Sequence, residues 1–111
     1  MNTTGRLVEI VTTVSTEQDA ALLARSLVED RLVACASFRR IRSIYRWAGE
    51  LADESEVEVV FKTLDTLAEA VETRLRESHP YDTPAILRLA VEANEPYLAW
   101  ARRGLDAPPT A

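Results

Sequence analysis

The sequence predicts an α+β protein with a ferredoxin-like split βαβ fold, β-α-β-β-α-β, and one more helix at the C-terminus. The first observation is the apolar pattern, which changes between period two and helical spacing in the order strand, helix, strand, strand, helix, strand. The second is a glycine-centred turn at 48–50, which joins the two middle strands into a long β2-β3 hairpin. Right-handed crossovers then place both main helices on one face of an antiparallel sheet.

The first two elements are a central strand and a helix. Residues 7–14 are rich in β-branched side chains and apolar on both faces, which is typical of a strand covered on two sides. Ser15 and Gln18 have the spacing of a capping box, and the residues that follow repeat at helical spacing. We therefore expect a helix over about 16–31 with Ser15 as its N-cap.

The predicted hairpin runs from residue 33 to 47 and returns through the alternating residues 56–62. A strand of about twelve residues spans roughly 40 Å. A compact domain of this length has a radius of gyration of only about 13 Å. The hairpin should therefore overhang its own domain, and a second subunit is the simplest structure to receive it.

The remaining elements are a helix, a strand and a short final helix. Thr66 and Glu69 predict a second capping box, and the helix that follows must stop before Pro80. Residues 84–91 alternate as a strand. Asn94 is the expected cap of the last helix and Gly104 its expected end.

Composition bounds the function. The 111 residues fit a single domain over 1–111, with an ordered core at about 6–105 and a flexible tail at 106–111. A net charge of −5 disfavours a general nucleic-acid binder, which needs surplus positive charge. One cysteine and one histidine exclude a disulfide within the chain and a Cys/His zinc site from a single chain. The absence of an export signal or a long apolar run indicates a cytoplasmic protein that does not enter a membrane.

An arginine run marks the first strand of the hairpin, at 39, 40, 42 and 46, and an acidic run follows the turn. Taken alone, the arginines suggest an anion site. If the turn lies near Gly49, however, the two runs face each other and cross-strand ion pairs explain both.

Three side chains are candidates for chemistry. Cys35, between alanines, has the setting of an inert core thiol rather than of a reactive or metal-binding one. His79 opens a loop held by Pro80 and Pro84; it either contacts a ligand or bonds the carbonyls at the end of its helix. Lys62 is an isolated cation at the end of an apolar strand, so it either binds an anion or pairs with the carboxylate of a neighbouring residue.

Two other classes of protein share this order of elements, RNA-recognition domains and acylphosphatase-like enzymes, but this sequence lacks the residues that their functions require. The third strand of an RNA-recognition domain carries aromatic residues, whereas here it carries glutamates that repel phosphate. An acylphosphatase-like enzyme needs a phosphate-cradling loop with an arginine after the first strand, and residues 12–16 contain none. We find no catalytic constellation, so no enzyme activity is predicted.

Five segments follow one another in a characteristic order and spacing: LVACA at 32–36, SIYRWAG at 43–49, KT at 62–63, HPYDTP at 79–84 and YLAW at 97–100. In these segments the chain resembles the CutA family, which is named for tolerance of divalent cations. The resemblance covers nearly the whole chain. It implies a ferredoxin-like homotrimer, similar to the PII signalling proteins, with strands paired between subunits.

The resemblance implies a role in copper and other divalent-metal tolerance, with no obligatory cofactor and a small ligand or a metal ion such as copper as the bound partner. The implied cleft between subunits is lined by Cys35, Arg46, Trp47, Lys62, His79 and Tyr81, with His79 and Cys35 as the metal ligands. Thr12 and Ser78 stand where some members have a further cysteine and histidine. Ala48 and Glu50 depart from the family pattern at the hairpin tip. The alternative function is a PII-like signalling module, in which Lys62, Arg46 and His79 hold an anionic metabolite or nucleotide.

Overall fold

The computed structural model describes residues 5–106 and confirms the predicted α+β fold. Four antiparallel strands lie in the order β2-β3-β1-β4. The strands are β1 (Leu7–Val14), β2 (Cys35–Trp47), β3 (Glu50–Leu64) and β4 (Ile86–Ala90); the helices are α1 (Glu17–Glu29), α2 (Asp65–Ser78) and α3 (Glu95–Asp106). None of the helices within this span is both long and apolar enough to cross a membrane.

The core lies between the sheet and the pair α1 and α2. Alternate residues of β1 and β3 face these helices, and Ile10, Val59 and Phe61 among them are fully buried. Leu27 of α1 and Leu75 of α2 complete the same cluster. Both helices therefore cover one face of the sheet, as the right-handed crossovers require.

Helix α3 packs away from this core. Its only buried residue, Ala101, lies outside the cluster formed by α1, α2 and the strands. The side chain of Tyr97 in α3 lies beside that of Cys35, whose neighbour in the sheet register is Lys62. Phe61 faces α1 and α2, and its neighbour Lys62 points to the other face of the sheet. Cys35 shares that face with Lys62, so α3 lies against the face of the sheet that α1 and α2 do not cover.

The hairpin overhangs the domain, as the sequence predicts. Strand β3 pairs with β1 only from Val57 onward, so its earlier residues pair with β2 alone. The molecule measures 49 × 31 × 21 Å, and its radius of gyration is 15.0 Å. A two-stranded arm therefore projects from a compact body.

Four of the predicted element ends are wrong. The N-cap of α1 is Thr16, which accepts from the Asp19 N–H at 3.0 Å, and not Ser15, whose hydroxyl donates to Tyr81. Helix α2 begins at Asp65, so Thr66 lies inside the helix and is not its cap; the N-cap position is Leu64, which makes no side-chain cap bond, and the Asp65 carboxylate accepts from the Arg6 N–H at 3.1 Å.

The other two corrections concern the last strand and helix. Strand β4 is shorter than 84–91, because its pairing with β1 begins only at Ile86. Helix α3 continues through Gly104 to Asp106, and the Gly104 carbonyl accepts from Arg31 at 3.1 Å. Of the expected tail, Asp106 therefore belongs to α3 and residues 107–111 lie outside the described residues.

The hairpin turn has an unfavourable residue at its first central position. Ala48 and Gly49 have φ angles of 53° and 82°, and positive φ at both positions is the pattern of a type I′ turn. Asparagine tolerates this conformation better than alanine. We expect Ala48→Asn to raise the free energy of unfolding by about 0.5–1 kcal/mol, measured by urea denaturation. A loss of stability would contradict the turn assignment.

Candidate functional site

His79 is held by hydrogen bonds of both ring nitrogens in the loop between α2 and β4. Its Nδ1 accepts from the Tyr81 backbone N–H at 3.0 Å, and its Nε2 lies 3.0 Å from the Thr12 hydroxyl. That hydroxyl donates its single proton to the Ala85 carbonyl at 2.6 Å. Nε2 must therefore carry the hydrogen and donate it to Thr12, so His79 is a neutral Nε2–H tautomer.

This geometry decides between the two interpretations of His79. The imidazole does not bond the carbonyls at the end of α2; only the His79 backbone N–H does, to Leu75 at 2.9 Å. Both ring nitrogens are engaged within the protein. A ligand or metal ion would have to displace the Tyr81 N–H before Nδ1 became available.

Burial lowers the pKa of His79 below its ordinary value of 6.5. The unfolded chain then takes up this proton at a higher pH than the folded protein. The stabilisation is complete above pH 6.5 and is lost as the pH falls toward the folded pKa. We expect the wild type to lose more stability than His79→Gln between about pH 7.5 and about pH 5.5, measured by urea unfolding. Equal losses would contradict the neutral assignment.

Tyr81 connects the loop to two strands. Its hydroxyl donates to Glu56 Oε2 at 2.8 Å and accepts from the Ser15 hydroxyl at 3.2 Å. Burial is the main cause that raises the pKa of Tyr81 to about 12. Glu56 is only 8% exposed although it carries a carboxylate. The phenol therefore stays protonated and holds this buried carboxylate in place.

A cleft of about 500 Å³ opens beside this chain of hydrogen bonds. Its position on the sheet face opposite α1 and α2 follows from the strand alternation. Hydroxyls at the end of β1 and in the loop supply polar groups. The cleft is bounded by three aromatic rings and three carboxylates, which are those of Tyr45, Trp47, Tyr81, Glu54, Glu56 and Asp82.

Cys35 and Lys62 form a second group, elsewhere on the sheet. They are register neighbours on β2 and β3, and Lys62 Nζ lies 3.7 Å from Glu9 Oε2. The sequence predicts that Cys35 is an inert thiol buried in the core. In the structure Cys35 is only half-buried and lies outside the core cluster, so this prediction is wrong about its location. The pKa of Tyr97 is raised mainly by burial and also by the adjacent Cys35. Of the two partners that the sequence allows for Lys62, an anionic ligand or a neighbouring carboxylate, the structure shows the carboxylate.

The six predicted cleft residues do not converge within one chain. Trp47 and Tyr81 line the cleft, and His79 lies behind Tyr81. Cys35 and Lys62 lie about 20 Å from Glu56 along β3, at about 3.3 Å per residue. Arg46 donates to the Gly49 carbonyl at 3.4 Å in its own turn.

The arginine run is explained mainly by ion pairs. Arg39 pairs with Glu58 and Arg42 with Asp53 across the hairpin, which confirms the structural interpretation for these two. Arg40 pairs instead with Glu17 of α1. The bond with Arg42 lowers the pKa of Asp53 and raises that of Arg42.

A metal site does not form within residues 5–106, where no three His, Cys, Asp or Glu side chains cluster to hold an ion. His79 bonds Thr12 on the helix-covered face, whereas Cys35 lies with Lys62 on the other. One chain therefore does not bring the two predicted metal ligands to one ion.

Sequence reasoning missed Thr12, Ser15 and Glu56 as parts of the site. Each was assigned another role: a substituted ligand position, a helix cap and a partner of the arginines. The one signal in the sequence was the position of Glu56, which directly precedes Val57, the residue at which β3 enters the core.

The chain is similar to proteins of one family over almost its full length. The sequence profile of the family described as CutA1 divalent ion tolerance protein matches residues 8–104. A divalent-cation tolerance protein CutA from Pyrococcus horikoshii is 38% identical over 95 residues, covering 85% of this chain and 93% of that protein. The structure of CutA from Synechococcus elongatus has 40% identity and a TM-score of 0.89, with 93% of each chain covered.

Protein CutA of Homo sapiens is 40% identical over 89 residues, which cover 78% of this chain and 50% of the human protein. The chain therefore spans half the length of that relative, whereas it spans most of the prokaryotic ones. The fold is shared with the solved CutA structure.

Proposed function

The chain belongs to the CutA1 divalent ion tolerance family, and on this premise we propose that it acts in divalent-metal tolerance, including copper, as a PII-like homotrimer. Its role is binding rather than catalysis. The relatives described as divalent-cation tolerance proteins support the metal role.

The projecting arm of the hairpin is the main observation that supports the proposed trimer. Ile44, Trp47 and Leu51 near its tip are each more than 60% exposed. Leu87 and Leu89 of β4 are also exposed, on the sheet face opposite α1 and α2. Clustered apolar side chains on a soluble protein mark contact surfaces. A neighbouring subunit that received the arm would bury them.

The same arrangement supports a site shared between subunits. Within one chain, Trp47 and Tyr81 lie far from Cys35 and Lys62. An arm that reaches a neighbour places its tip beside that neighbour's residues. Threefold symmetry would supply three copies of each donor. We therefore propose that the ligand cleft combines the arm of one subunit with the body of the next.

Light scattering tests the assembly. We expect a mass of about 37 kDa, three times that of the 12.4 kDa chain. A 12.4 kDa species would contradict both the trimer and the shared cleft.

Calorimetric titration with Cu(II) and Zn(II) tests direct metal binding. We expect a dissociation constant below about 100 μM, roughly −5.5 kcal/mol, for tag-free trimer. Cys35→Ser should weaken binding, and Ser37→Ala, on the same strand, should not. Absence of binding would mean that tolerance acts through another ligand or partner.

The PII-like alternative, an anionic metabolite or nucleotide, has less support. Lys62 already faces Glu9, Arg46 bonds its own turn and His79 is neutral, so the expected positive charges are not gathered. A thermal-shift panel of nucleotides and carboxylates tests it, and we expect no stabilisation.

We place the protein in the cytoplasm, where the free thiol of Cys35 stays reduced. A relative from Archaeoglobus fulgidus, 25% identical, is described as periplasmic. Fractionation of the source cells would decide between the two compartments.

A further inference from the structure

We propose that the cleft bounded by Tyr45, Trp47 and Tyr81 binds a small organic ammonium ion. This goes beyond the proposed metal role, because it assigns a different chemical class of ligand to a cleft that a single chain already forms. The size of the cleft, its uncompensated negative charge and its aromatic rings support this assignment.

The cleft suits an organic molecule rather than a bare ion. Its volume of about 500 Å³ lies within the range of small-molecule sites. A hard metal ion needs several oxygen ligands at about 2.0–2.6 Å. Glu54, Glu56 and Asp82 line the cleft, yet they do not converge into a group that could hold an ion.

The charge of the cleft is negative and lacks a protein counter-ion. The neighbouring hairpin carboxylates Asp53 and Glu58 are each paired with an arginine. None of the ion pairs within residues 5–106 includes Glu54, Glu56 or Asp82. Glu54 and Glu56 accept only from tyrosine hydroxyls, at 3.1 Å and 2.8 Å. The lining contains no lysine, arginine or histidine.

The three rings select for an organic cation. An aromatic face attracts a positive charge within about 6 Å, and tryptophan does so most strongly. Trp47 lines the cleft together with Tyr45 and Tyr81, so a ligand in the cleft lies against these rings. An ammonium ion with apolar substituents can contact the rings and the carboxylates at once, whereas an anion is repelled by the carboxylates.

The test compares choline with its neutral isostere, 3,3-dimethylbutan-1-ol, by ligand-observed NMR titration of the full chain in phosphate buffer. We expect choline to bind with a dissociation constant of about 1 mM or lower, and the isostere at least about tenfold more weakly. Equal binding of the two would show that the cleft recognises shape alone and would overturn the proposal. Absence of choline binding would overturn it as well.

Matched variants locate the binding. Glu54→Gln removes an exposed charge of the cleft and should weaken choline binding about threefold, whereas Glu29→Gln on α1 should not. Trp47→Leu should weaken it about tenfold, whereas Trp100→Leu on α3 should leave it unchanged. Losses as large in the controls would contradict the cleft. Light scattering on the same samples measures the oligomeric state independently. Failure of the trimer proposal can therefore be distinguished from failure of ammonium binding.

Discussion

Replacing Phe61 by alanine is expected to lower the free energy of unfolding by about 3–5 kcal/mol. Phe61 is the largest fully buried side chain of the core. It belongs to β3, and its ring lies between the sheet and the two helices α1 and α2. Its removal loses the transfer free energy of the ring and leaves a cavity that the packed core fills only in part. A small domain has only about 5–15 kcal/mol of stability in total, so this variant should be close to unfolding.

The matched control is Phe38→Ala on the adjacent strand. Phe38 is 39% exposed, so its loss should cost much less. Both variants are measured by urea denaturation at one protein concentration, because assembly makes stability depend on concentration. Phe38 lies on the same face of the sheet, opposite Val59, but at its edge, so similar losses would contradict the burial of Phe61 at the centre of the core.

Thr12→Val is expected to lower the free energy of unfolding by about 2 kcal/mol and to loosen the wall of the cleft. The Thr12 hydroxyl is buried and has two partners, the Ala85 carbonyl and His79 Nε2. Valine keeps the shape but leaves both partners without their hydrogen bond. Amide hydrogen exchange at residues 79–85 should increase together with the loss of stability.

Thr63→Val provides the control, because Thr63 is equally buried but donates only to the Leu32 carbonyl at 2.6 Å. We expect it to cost about 1 kcal/mol and to leave exchange in the 79–85 loop unchanged. If the two variants behaved alike, Thr12 would have no special part in positioning His79 and the loop.

Local sequence determined the elements because their signals lie within a few residues. Period-two alternation and helical spacing identified the strands and helices of the fold, and Pro80 ended α2 as predicted. Several predicted end positions were wrong, because neighbouring residues compete for the same role. Ser15 and Thr16 both suit an N-cap, and the contact of Ser15 with Tyr81 leaves the cap to Thr16.

The candidate site was predicted only in part, because its geometry depends on contacts between distant segments. Tyr81 and Glu56 are 25 residues apart, and Thr12 and His79 are 67 apart. No periodicity reports such pairs. The resemblance implies one cleft between subunits for all of these residues; within the chain Trp47 and Tyr81 line a common cleft, while Cys35 and Lys62 lie elsewhere.

The sequence by itself determined the order of elements, the family and the overhanging hairpin, since alternation, strand length and turn position are local quantities. Only the tertiary structure decided what the hairpin charges do. Strand register pairs Asp53 and Glu58 with arginines and leaves Glu54 and Glu56 at the aromatic cleft. Asp53 points to the face of the hairpin opposite Glu54, because adjacent residues of a strand alternate. Glu58 shares the face of Glu54 and Glu56 but lies directly opposite Arg39 in the register, so its position along the strand gives it a different partner.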